Sequence, residues 1–396
     1  MDKRIIFLIC IFLQTIFSSS AITVEPNDSI QKDTTIFNQL FNLFEEHEGD
    51  NIPEAQRSKR KQVDALLKAI MEQPGQLRFS GVATASVQTG LNHSTPYYGV
   101  GSFDIFAFTS FGKHALLFFD LEAIGGNGPD AQIQNVSVLN ADAGRTTSVD
   151  GIDRITILEA WTQFKALKDI FTVTVGKIDL TNYYDNNLHA NDETSQFLTG
   201  VFVNNPVLPL YFNSPGINFR TAFLSRFYIQ YGRAMADNNE IDLIKNHTQF
   251  LETGFRLFPE TGWQANFRVM GFEHPFARSS YGFGISFDQL FANTFTIFGR
   301  YGQNENELSA FHGIHKAWST GIGFKQPLFK REFNVGMGYA ETFENEKIKP
   351  ERAGEAYNSH QLNKWVFFSI HLQWLKRQEV EPDEHFFGGL RLNFNY

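Results

Sequence analysis

The 396-residue sequence contains a single cysteine, Cys10, and this scarcity limits the chemistry that the protein can perform. Cys10 lies in an apolar run and lacks the small residues that a lipoprotein site needs just before it, so we interpret it as an ordinary apolar residue. We expect no disulfide and no cysteine-based redox or metal site. The 11 histidines include no pair at a metal-binding spacing such as H-E-x-x-H. The sequence therefore predicts neither a metal nor a cofactor.

Long apolar runs are also missing after the first 21 residues. None reaches the roughly 18 residues that a spanning helix needs, and the mean hydropathy is −0.25. These features exclude a protein that crosses a membrane with helices. The formal net charge is −9, and an acidic chain of this kind argues against a nucleic-acid partner.

The start of the chain has the pattern of a secretory signal. Lys3 and Arg4 precede an apolar run from Ile5 to Phe17, and a stretch of small residues, 18–21, follows it. The run is too short for a spanning helix and has the flanks of a signal peptide. We predict a signal peptide over residues 1–21 and a secreted protein.

Residues 22–75 differ in pattern from the rest of the chain. Apolar residues recur at helical spacing before Pro53 and again between Val63 and Ile70, which predicts two short amphipathic helices. Such a segment fits a periplasmic or pore-plugging helix, or a helix at a trimer contact. It fits equally a leader that packs loosely on a barrel rim.

From Leu77 onward the apolar period is two, and aromatic residues are abundant. Phe, Tyr and Trp make up 15% of the chain, and in 263–270 apolar and polar residues alternate strictly. One apolar face and one polar face are what a transmembrane barrel requires, although a half-buried soluble sheet gives the same alternation. We predict an all-β, antiparallel transmembrane barrel over residues 76–396.

The connections between predicted strands favour the membrane barrel over the soluble sheet. Short links, such as 111–113 and 224–226, alternate with long ones, such as 125–152 and 180–215. Outer-membrane barrels have this arrangement, with short periplasmic turns and long outer loops. The chain ends on an amphipathic strand with the aromatic Tyr396, which resembles the C-terminal signal read by the bacterial barrel-assembly machinery. We expect a location in the outer membrane.

Fifteen strands are evident by direct counting, but a single-chain bacterial barrel has an even number. The weak stretch from Ala353 to Leu362 is the best candidate for the missing strand. Sixteen strands leave a lumen wide enough for water, whereas eight would be filled with side chains. The count therefore predicts a porin, a passive channel rather than an enzyme.

The segment from Lys177 to Gly216 is long for a loop without helices or strands of its own, which suggests a function. Its motifs are Gly176-Lys177-x-Asp179-Leu180, Tyr183-Tyr184-Asp185, Asn191-Asp192-Glu193-Thr194, Gln196-Phe197-Leu198 and Val203-Asn204-Asn205-Pro206, with Leu158-Glu159-Ala160-Trp161 and Gly388-Gly389-Leu390-Arg391-Leu392 outside the loop. Together these motifs resemble the carbohydrate-selective porin (OprB) family, and the resemblance covers roughly residues 77–396.

The resemblance implies a sixteen-stranded outer-membrane barrel that admits monosaccharides. A loop folded into the lumen could narrow it, with aromatic faces for the C–H side of a sugar and polar groups for its hydroxyls. In the alternative, the aromatic residues anchor the loop and the carboxylates cap its turns. The candidate constriction residues are Lys177, Asp179, Tyr183, Tyr184, Asp185, Asn191, Asp192, Glu193 and Phe197.

Charged residues on the polar face of the strands form a second candidate filter, because inward charges sort solutes by charge. Arg256 and Arg268 fall on one hairpin and could form a basic ladder opposite loop carboxylates, which would polarise the constriction crosswise. Some of these arginines could instead lie at the rim, facing lipid headgroups. The predicted lumen charges are Glu159, Arg220, Glu252, Arg256, Arg268 and Arg300.

These patterns predict a porin for small hydrophilic solutes, with carbohydrates as the first candidate. The first alternative is a porin for amino acids such as arginine, since an acidic constriction would favour cations. The second is a barrel enzyme or an adhesin that binds through the long loops. Expected partners are the solutes, outer-membrane lipid and the barrel-assembly machinery, and a homotrimer is possible.

Overall fold

The computed structural model describes residues 75–92, 96–112, 114–145, 154–167, 170–209, 213–223, 226–236, 246–259, 261–275, 280–328, 331–344, 349–377 and 383–395. The predicted signal peptide 1–21, the predicted helical segment up to residue 74, and Tyr396 lie outside the described residues.

Sixteen antiparallel strands of the described chain close into a barrel, in which each strand pairs with its neighbours in sequence and β1 pairs with β16. This confirms the predicted all-β barrel and its strand number. The weak stretch proposed as the hidden strand is β14. The strands are β1 Arg78–Gly90, β2 Tyr97–Ser110, β3 Ala115–Gly126, β4 Arg154–Ala166, β5 Phe171–Ile178, β6 Ser214–Phe223, β7 Phe227–Met235, β8 His247–Leu257, β9 Ala265–His274, β10 Ser280–Phe291, β11 Phe295–Asn304, β12 Lys316–Leu328, β13 Arg331–Phe343, β14 Glu351–Gln361, β15 Val366–Arg377 and β16 Asp383–Asn395.

The period of two places apolar side chains on the outside of the barrel and polar ones inside. In β9, Phe267 and Val269 are 46% and 52% exposed, whereas Arg268 and Met270 point inward and are buried. Successive side chains of a strand lie on opposite faces, so one sequence pattern creates both surfaces. The outer surface is apolar enough to face lipid, as the alternation predicted.

Short turns lie at one end of the barrel and longer loops at the other, as predicted. We call these the turn end and the loop end. The turn 292–294 joins β10 to β11, and its residues Ala292 and Asn293 have positive φ angles. Two α-helices of the described chain occur in loops, α1 Gly200–Val203 and α2 Asn306–His312. Among the residues described, no helix is long and apolar enough to span a membrane.

Two loops fold into the lumen and pack on each other there. The inward loop, 179–209, follows β5, and the second loop, 127–145, follows β3. They meet through backbone hydrogen bonds from Gly200 N to Val138 O (2.7 Å) and from Ala141 N to Leu198 O (2.8 Å). The sequence predicted the inward loop as a lumen-filling element but gave no such role to the second loop. Together the loops occupy much of the space inside the barrel.

Candidate functional site

The inward loop begins with a turn that positions Asn182 in the lumen. A 3-10 helix covers Leu180–Asn182, and the side chain of Asp179 accepts a hydrogen bond from Thr181 N at 2.9 Å. An aspartate at this position satisfies a backbone donor at the start of a helical turn. Asn182 Nδ2 then donates to Glu159 Oε1 of β4 at 2.9 Å. The loop is thus fixed to the wall from its first residues.

A β-bulge in β4 directs Glu159 toward this turn. Asp120 pairs with Glu159 but Leu121 pairs with Ile157, so Leu158 is an extra residue on β4. A bulge of this kind changes the direction of nearby side chains, and both Leu158 and Glu159 are buried inside. Glu159 also accepts from Trp161 Nε1 at 3.0 Å.

Arg300 holds the centre of the inward loop against β11. Its Nε donates to Asp185 Oδ2 at 2.6 Å, and its guanidinium also donates to the carbonyl oxygens of Phe202, Val203 and Ala190. The side chain is 1% exposed. A buried arginine needs this many acceptors, because an unpaired buried charge is strongly unfavourable.

Other charged residues of the wall bind loop backbone in the same way. The Glu355 carboxylate accepts from Leu198 N and Thr199 N, and Arg391 donates to the carbonyl oxygens of Glu193 and Gln196. In the second loop, the Glu351 carboxylate accepts from the N–H groups of residues 136 and 137. Charge-assisted hydrogen bonds are the stronger kind, so these contacts fix the shape of both loops.

Ser369, His371 and Glu355 form a hydrogen-bond chain with the connectivity of a hydrolase triad. Ser369 Oγ lies 2.8 Å from His371 Nε2, and His371 Nδ1 lies 2.7 Å from Glu355 Oε1. All three side chains are buried, and none lines the cavities described below. A nucleophile needs access to its substrate, and Glu355 also binds the inward loop. We therefore interpret the chain as part of the loop attachment.

This interpretation predicts different effects for two alanine variants. Glu355→Ala leaves two buried loop N–H groups without their acceptor, and we expect it to destabilise the loop by about 3 kcal/mol. Ser369→Ala keeps the Glu355 contacts, and we expect its stability and transport to match the wild type. Limited proteolysis of the loop measures the first effect. Hydrolysis of a nitrophenyl ester by the wild type but not by Ser369→Ala would instead support a catalytic triad.

Aromatic rings, and a glycine that makes room for one of them, complete the packing of the inward loop. Phe197 contacts Phe202 and Tyr357 with ring centroids 4.9 and 5.0 Å apart. A Cβ at Gly232 of β7 would overlap the ring of Tyr184, so glycine allows that ring to reach the wall. Burial raises the pKa of the Tyr184 phenol, which donates to Asn218 Oδ1 at 2.8 Å.

A cavity of about 530 Å³, the loop-side chamber, lies between the two loops and β2 to β4. Its described lining includes seven carboxylates and contains no lysine or arginine. Burial lowers the pKa of His312, which also lines it, so this imidazole is neutral at neutral pH. Carboxylates are therefore the charged groups of its described lining. The carboxylates are those of Asp120, Glu122, Asp142, Glu159, Asp179, Asp192 and Glu193.

A second cavity of about 350 Å³, the turn-side chamber, lies beneath the inward loop near the turn end. Its described lining includes no carboxylate. Arg268 forms an ion pair with Asp288, with 2.8 Å between Nη1 and Oδ2. Asp288 and Glu252 are buried and do not line the chamber. Arg220 stacks on the ring of Tyr228 at 4.6 Å. The lining surface is basic, and its charged residues are Lys165, Arg220, Arg256 and Arg268.

Asn182 lines both chambers, so the two cavities adjoin at its side chain. The described lining carries carboxylates in the chamber nearer the loop end and lysine and arginine in the chamber nearer the turn end. The two kinds of charge are thus separated along the barrel, which differs from the crosswise arrangement that the sequence suggested. The reason is that Asp288, on β10, pairs with Arg268 in place of the loop carboxylates.

Nine of the predicted site residues line a chamber, and their contact with a solute stays a prediction. Five line the loop-side chamber and four line the turn-side chamber, where Arg256 and Arg268 come together as predicted for neighbouring strands. The first group is Glu159, Asp179, Asn191, Asp192 and Glu193. The second is Tyr183, Arg220, Arg256 and Arg268.

The other predicted site residues lie elsewhere. Tyr184, Asp185, Glu252 and Arg300 are buried in loop-to-wall contacts, where a solute cannot reach them. Phe197 is also buried, in the aromatic packing of the loop. Their positions agree with the alternative interpretation of the sequence, in which such residues anchor the loop and do not contact a solute.

Lys177 was predicted inside but lies on the outer side of β5. Thr174 and Ile178 are the inward residues of this strand, so the odd-numbered Lys177 faces outward. There its ammonium donates to Ile157 O at 2.5 Å. The prediction took Lys177 to lie on the inward face by strand parity, but in β5 the inward face carries even-numbered residues such as Thr172 and Thr174.

Several residues that shape the pathway were missing from the predicted site. Asp120 and Glu122 line the loop-side chamber, and their alternation with apolar residues in β3 is a sequence signal for an inward position. Asp142 lines it from the second loop, and nothing in its local sequence marks it. In the part of the chain that the structure describes, no group of three or more His, Cys, Asp or Glu residues is arranged to hold a metal ion.

Comparison with known structures identifies the architecture. Pseudomonas putida OprB, solved at high pH, superposes with a TM-score of 0.66 at 13% sequence identity, covering 81% of this chain and 94% of that chain. The chain has a porin fold. The low-pH structure of the same protein gives a TM-score of 0.56 at 13% identity, covering 81% of this chain and 92% of that chain.

The porin fold extends to more distant structures as well. A triple mutant of the Rh. blastica porin gives a TM-score of 0.51 at 9% identity, covering 81% of this chain and all (100%) of that one. The resemblance to OprB drawn from the sequence is confirmed at the level of the fold. No family model matches the sequence. An uncharacterized protein of Aquifex aeolicus (strain VF5) is 28% identical over 301 residues, which cover 75% of this chain and 85% of the relative.

Proposed function

We propose that this protein is an outer-membrane porin through which small hydrophilic solutes, carbohydrates in particular, diffuse passively. The observation that carries the proposal is the pair of polar chambers that adjoin at Asn182 inside a closed sixteen-stranded barrel. A closed barrel satisfies all strand hydrogen bonds, and its apolar outer face suits lipid. A hydrated passage through such a barrel is a diffusion channel.

The lining of the loop-side chamber suits a carbohydrate. The amides of Asn191, Asn204 and Asn205 and the nearby carboxylates offer donors and acceptors for hydroxyl groups. Phe106 and Phe118 line the same space and offer apolar surface for the C–H face of a sugar ring. The shared fold with OprB adds support for this class of solute.

The seven carboxylates favour a second candidate, a porin for cationic solutes such as arginine. The signal peptide and the recognition of Tyr396 by the barrel-assembly machinery stay predictions within this proposal, and the choice between monomer and homotrimer stays open. As a channel, the protein needs no cofactor.

Liposome swelling tests the proposal and separates the two candidates. We expect proteoliposomes to swell faster in glucose than in arginine or succinate, and planar bilayers to show discrete conductance steps. Faster swelling in arginine would favour the second candidate. The absence of both swelling and current would contradict a channel.

A further inference from the structure

Two arginines of the turn-side chamber have no acidic partner among the residues that the structure describes. Arg220 of β6 and Arg256 of β8 both line the chamber, and the side chain of neither forms an ion pair or a hydrogen bond with a described residue. The Nε of Arg220 is buried and has no acceptor there. Because a buried donor without an acceptor is unfavourable, this group favours the binding of one.

The neighbouring charges do not neutralise these arginines. Arg268 is already paired with Asp288. The carboxylate of Glu252 accepts from the Tyr228 hydroxyl at 2.7 Å and from a loop N–H at 2.8 Å, so its oxygens are also occupied. Lys165 lines the chamber as a further cation without a partner among the described residues. With both carboxylates counted as ionised, the four cations of the lining still outnumber them, so the chamber attracts an anion.

Tyr228 fixes the position of the Arg220 guanidinium by stacking. The guanidinium carbon lies 4.6 Å from the centroid of the ring. The ring itself packs over Gly254 of β8, where a Cβ atom would overlap it. Stacking uses the flat face of a guanidinium and leaves the N–H groups along its edge free to bind an acceptor. Arg256 follows Gly254 by two positions, so it lies on the same inward face of β8.

We propose that the turn-side chamber is a binding site for the oxyanion group, a carboxylate or a phosphate, of a small polar solute, held between Arg220 and Arg256. Neighbouring strands lie about 4.8 Å apart, so β6 and β8, which flank β7, are about 10 Å apart. Two arginine side chains can reach one anion across that distance. A guanidinium donates two parallel hydrogen bonds to a carboxylate or a phosphate, so its shape matches this group.

The rest of the chamber suits the polar body of a carbohydrate. The hydroxyl of Thr172 and the amides of Asn182 and Asn186 line it and can form hydrogen bonds with hydroxyl groups. Its volume of about 350 Å³ is near the lower end of the range for ligand pockets, about 300–1,000 Å³, and the cavity is partly open to solvent. A sugar acid or a sugar phosphate has both required parts. The inference rests on the porin function proposed above and adds a negative charge to its solute class.

Equilibrium binding to the purified full chain in detergent tests the site directly. Isothermal titration calorimetry is carried out with gluconate, glucose 6-phosphate and glucose at low ionic strength. We expect at least one of the two anions to bind about tenfold more tightly than glucose, because a hydrogen bond to a charged group is the stronger kind. The tighter anion identifies the oxyanion, and added salt should weaken its binding. Equal affinities for the three solutes, or tightest binding of glucose, would overturn the inference.

Two substitutions remove one guanidinium at a time. Arg220→Gln and Arg256→Gln are each expected to lower the affinity for the tighter anion about tenfold, and so to reduce its preference over glucose. Arg220→Lys keeps the charge but not the two parallel hydrogen bonds, so we expect an intermediate affinity. If both glutamine variants bind the anion as the wild type does, the inference is wrong.

Arg226→Gln is a matched control at the same end of the barrel. Arg226 is exposed and does not line the chamber, and its loss changes the net charge by the same amount. The control should bind the anion as the wild type does, and an equal loss of affinity in it would contradict the inference. Heat-dependent gel mobility checks that each barrel is folded. The comparison of the anions with glucose in the wild type needs no variant, so it decides the inference even if a variant does not fold.

Planar bilayers separate this inference from the porin proposal. In a conducting channel, the tighter anion is expected to reduce the potassium chloride current at concentrations near its dissociation constant, and to do so less in Arg220→Gln. A channel that conducts but shows neither tighter anion binding nor this block would overturn the inference and leave the porin proposal intact. Anion binding to a barrel that passes neither current nor solute would reject the porin proposal and leave the binding site.

Discussion

Replacing Arg300 by methionine is expected to release the inward loop and to raise the permeation of a trisaccharide by on the order of tenfold. Three loop carbonyl groups lose the guanidinium donor in this variant, and Asp185 loses its charged partner and keeps the N–H of Asn205. Removing one partner of a buried ion pair costs about 3–5 kcal/mol, which is comparable with the stability of a packed loop. The strand hydrogen bonds are untouched, so the barrel itself should remain folded.

Three measurements check this prediction: proteoliposome swelling in raffinose, proteolysis within 179–209, and circular dichroism of the barrel. Arg352→Met is a matched control, because Arg352 pairs with Glu341 at 2.9 Å while 37% exposed. Partly exposed pairs contribute about 0–1 kcal/mol, so the control should behave like the wild type. Unchanged exclusion of raffinose by Arg300→Met would show that other contacts are sufficient to hold the loop.

The second large effect is expected at Asn182, where the two chambers adjoin. Asn182→Trp fills the junction with a bulky ring and should lower glucose permeation by on the order of tenfold, because pore diameter limits the flux of a solute. Asn182→Ala removes side-chain volume and should raise the flux. Swelling rates in glucose, at equal amounts of inserted protein, measure both.

The two Asn182 variants control for each other. Both lose the 2.9 Å hydrogen bond from Asn182 to Glu159, so a change that came only from this bond would have the same sign in both. Opposite signs indicate that side-chain volume at the junction sets the flux. A decrease in both variants would show instead that the Glu159 contact positions the loop.

The barrel could be predicted from the sequence because its determinants are local. The alternation in residues 263–270 sets the two faces of β9 directly, and the short and long connections follow from the up-and-down topology. The weak strand β14 could be placed because closure requires an even number. Alternation along a strand, alternation of connection lengths and an even strand number can each be recognised in the sequence without knowledge of contacts between distant residues.

The interior could be predicted only in part, because it depends on contacts between distant residues. The side chain of Arg300 reaches carbonyl groups about a hundred positions away in sequence, and Glu351 binds the second loop from more than two hundred positions away. Backbone groups accept or donate whatever the loop sequence is, so no motif in the loop marks them. The sequence pattern around an arginine or a glutamate on a polar strand face is the same whether its side chain contacts a solute or a loop.

The use of backbone atoms by the wall charges has a consequence for how selectivity can be altered. Arg300, Glu355 and Arg391 hold the inward loop largely through peptide groups, and these exist for any amino acid sequence. Loop side chains that make no backbone contact can therefore be exchanged while the same curve of the main chain is retained, whereas Asp192, which accepts from Thr194 N and Ser195 N, has to stay. The barrel and its anchors then act as a fixed frame on which new solute preferences can be built by substitution at a few sites.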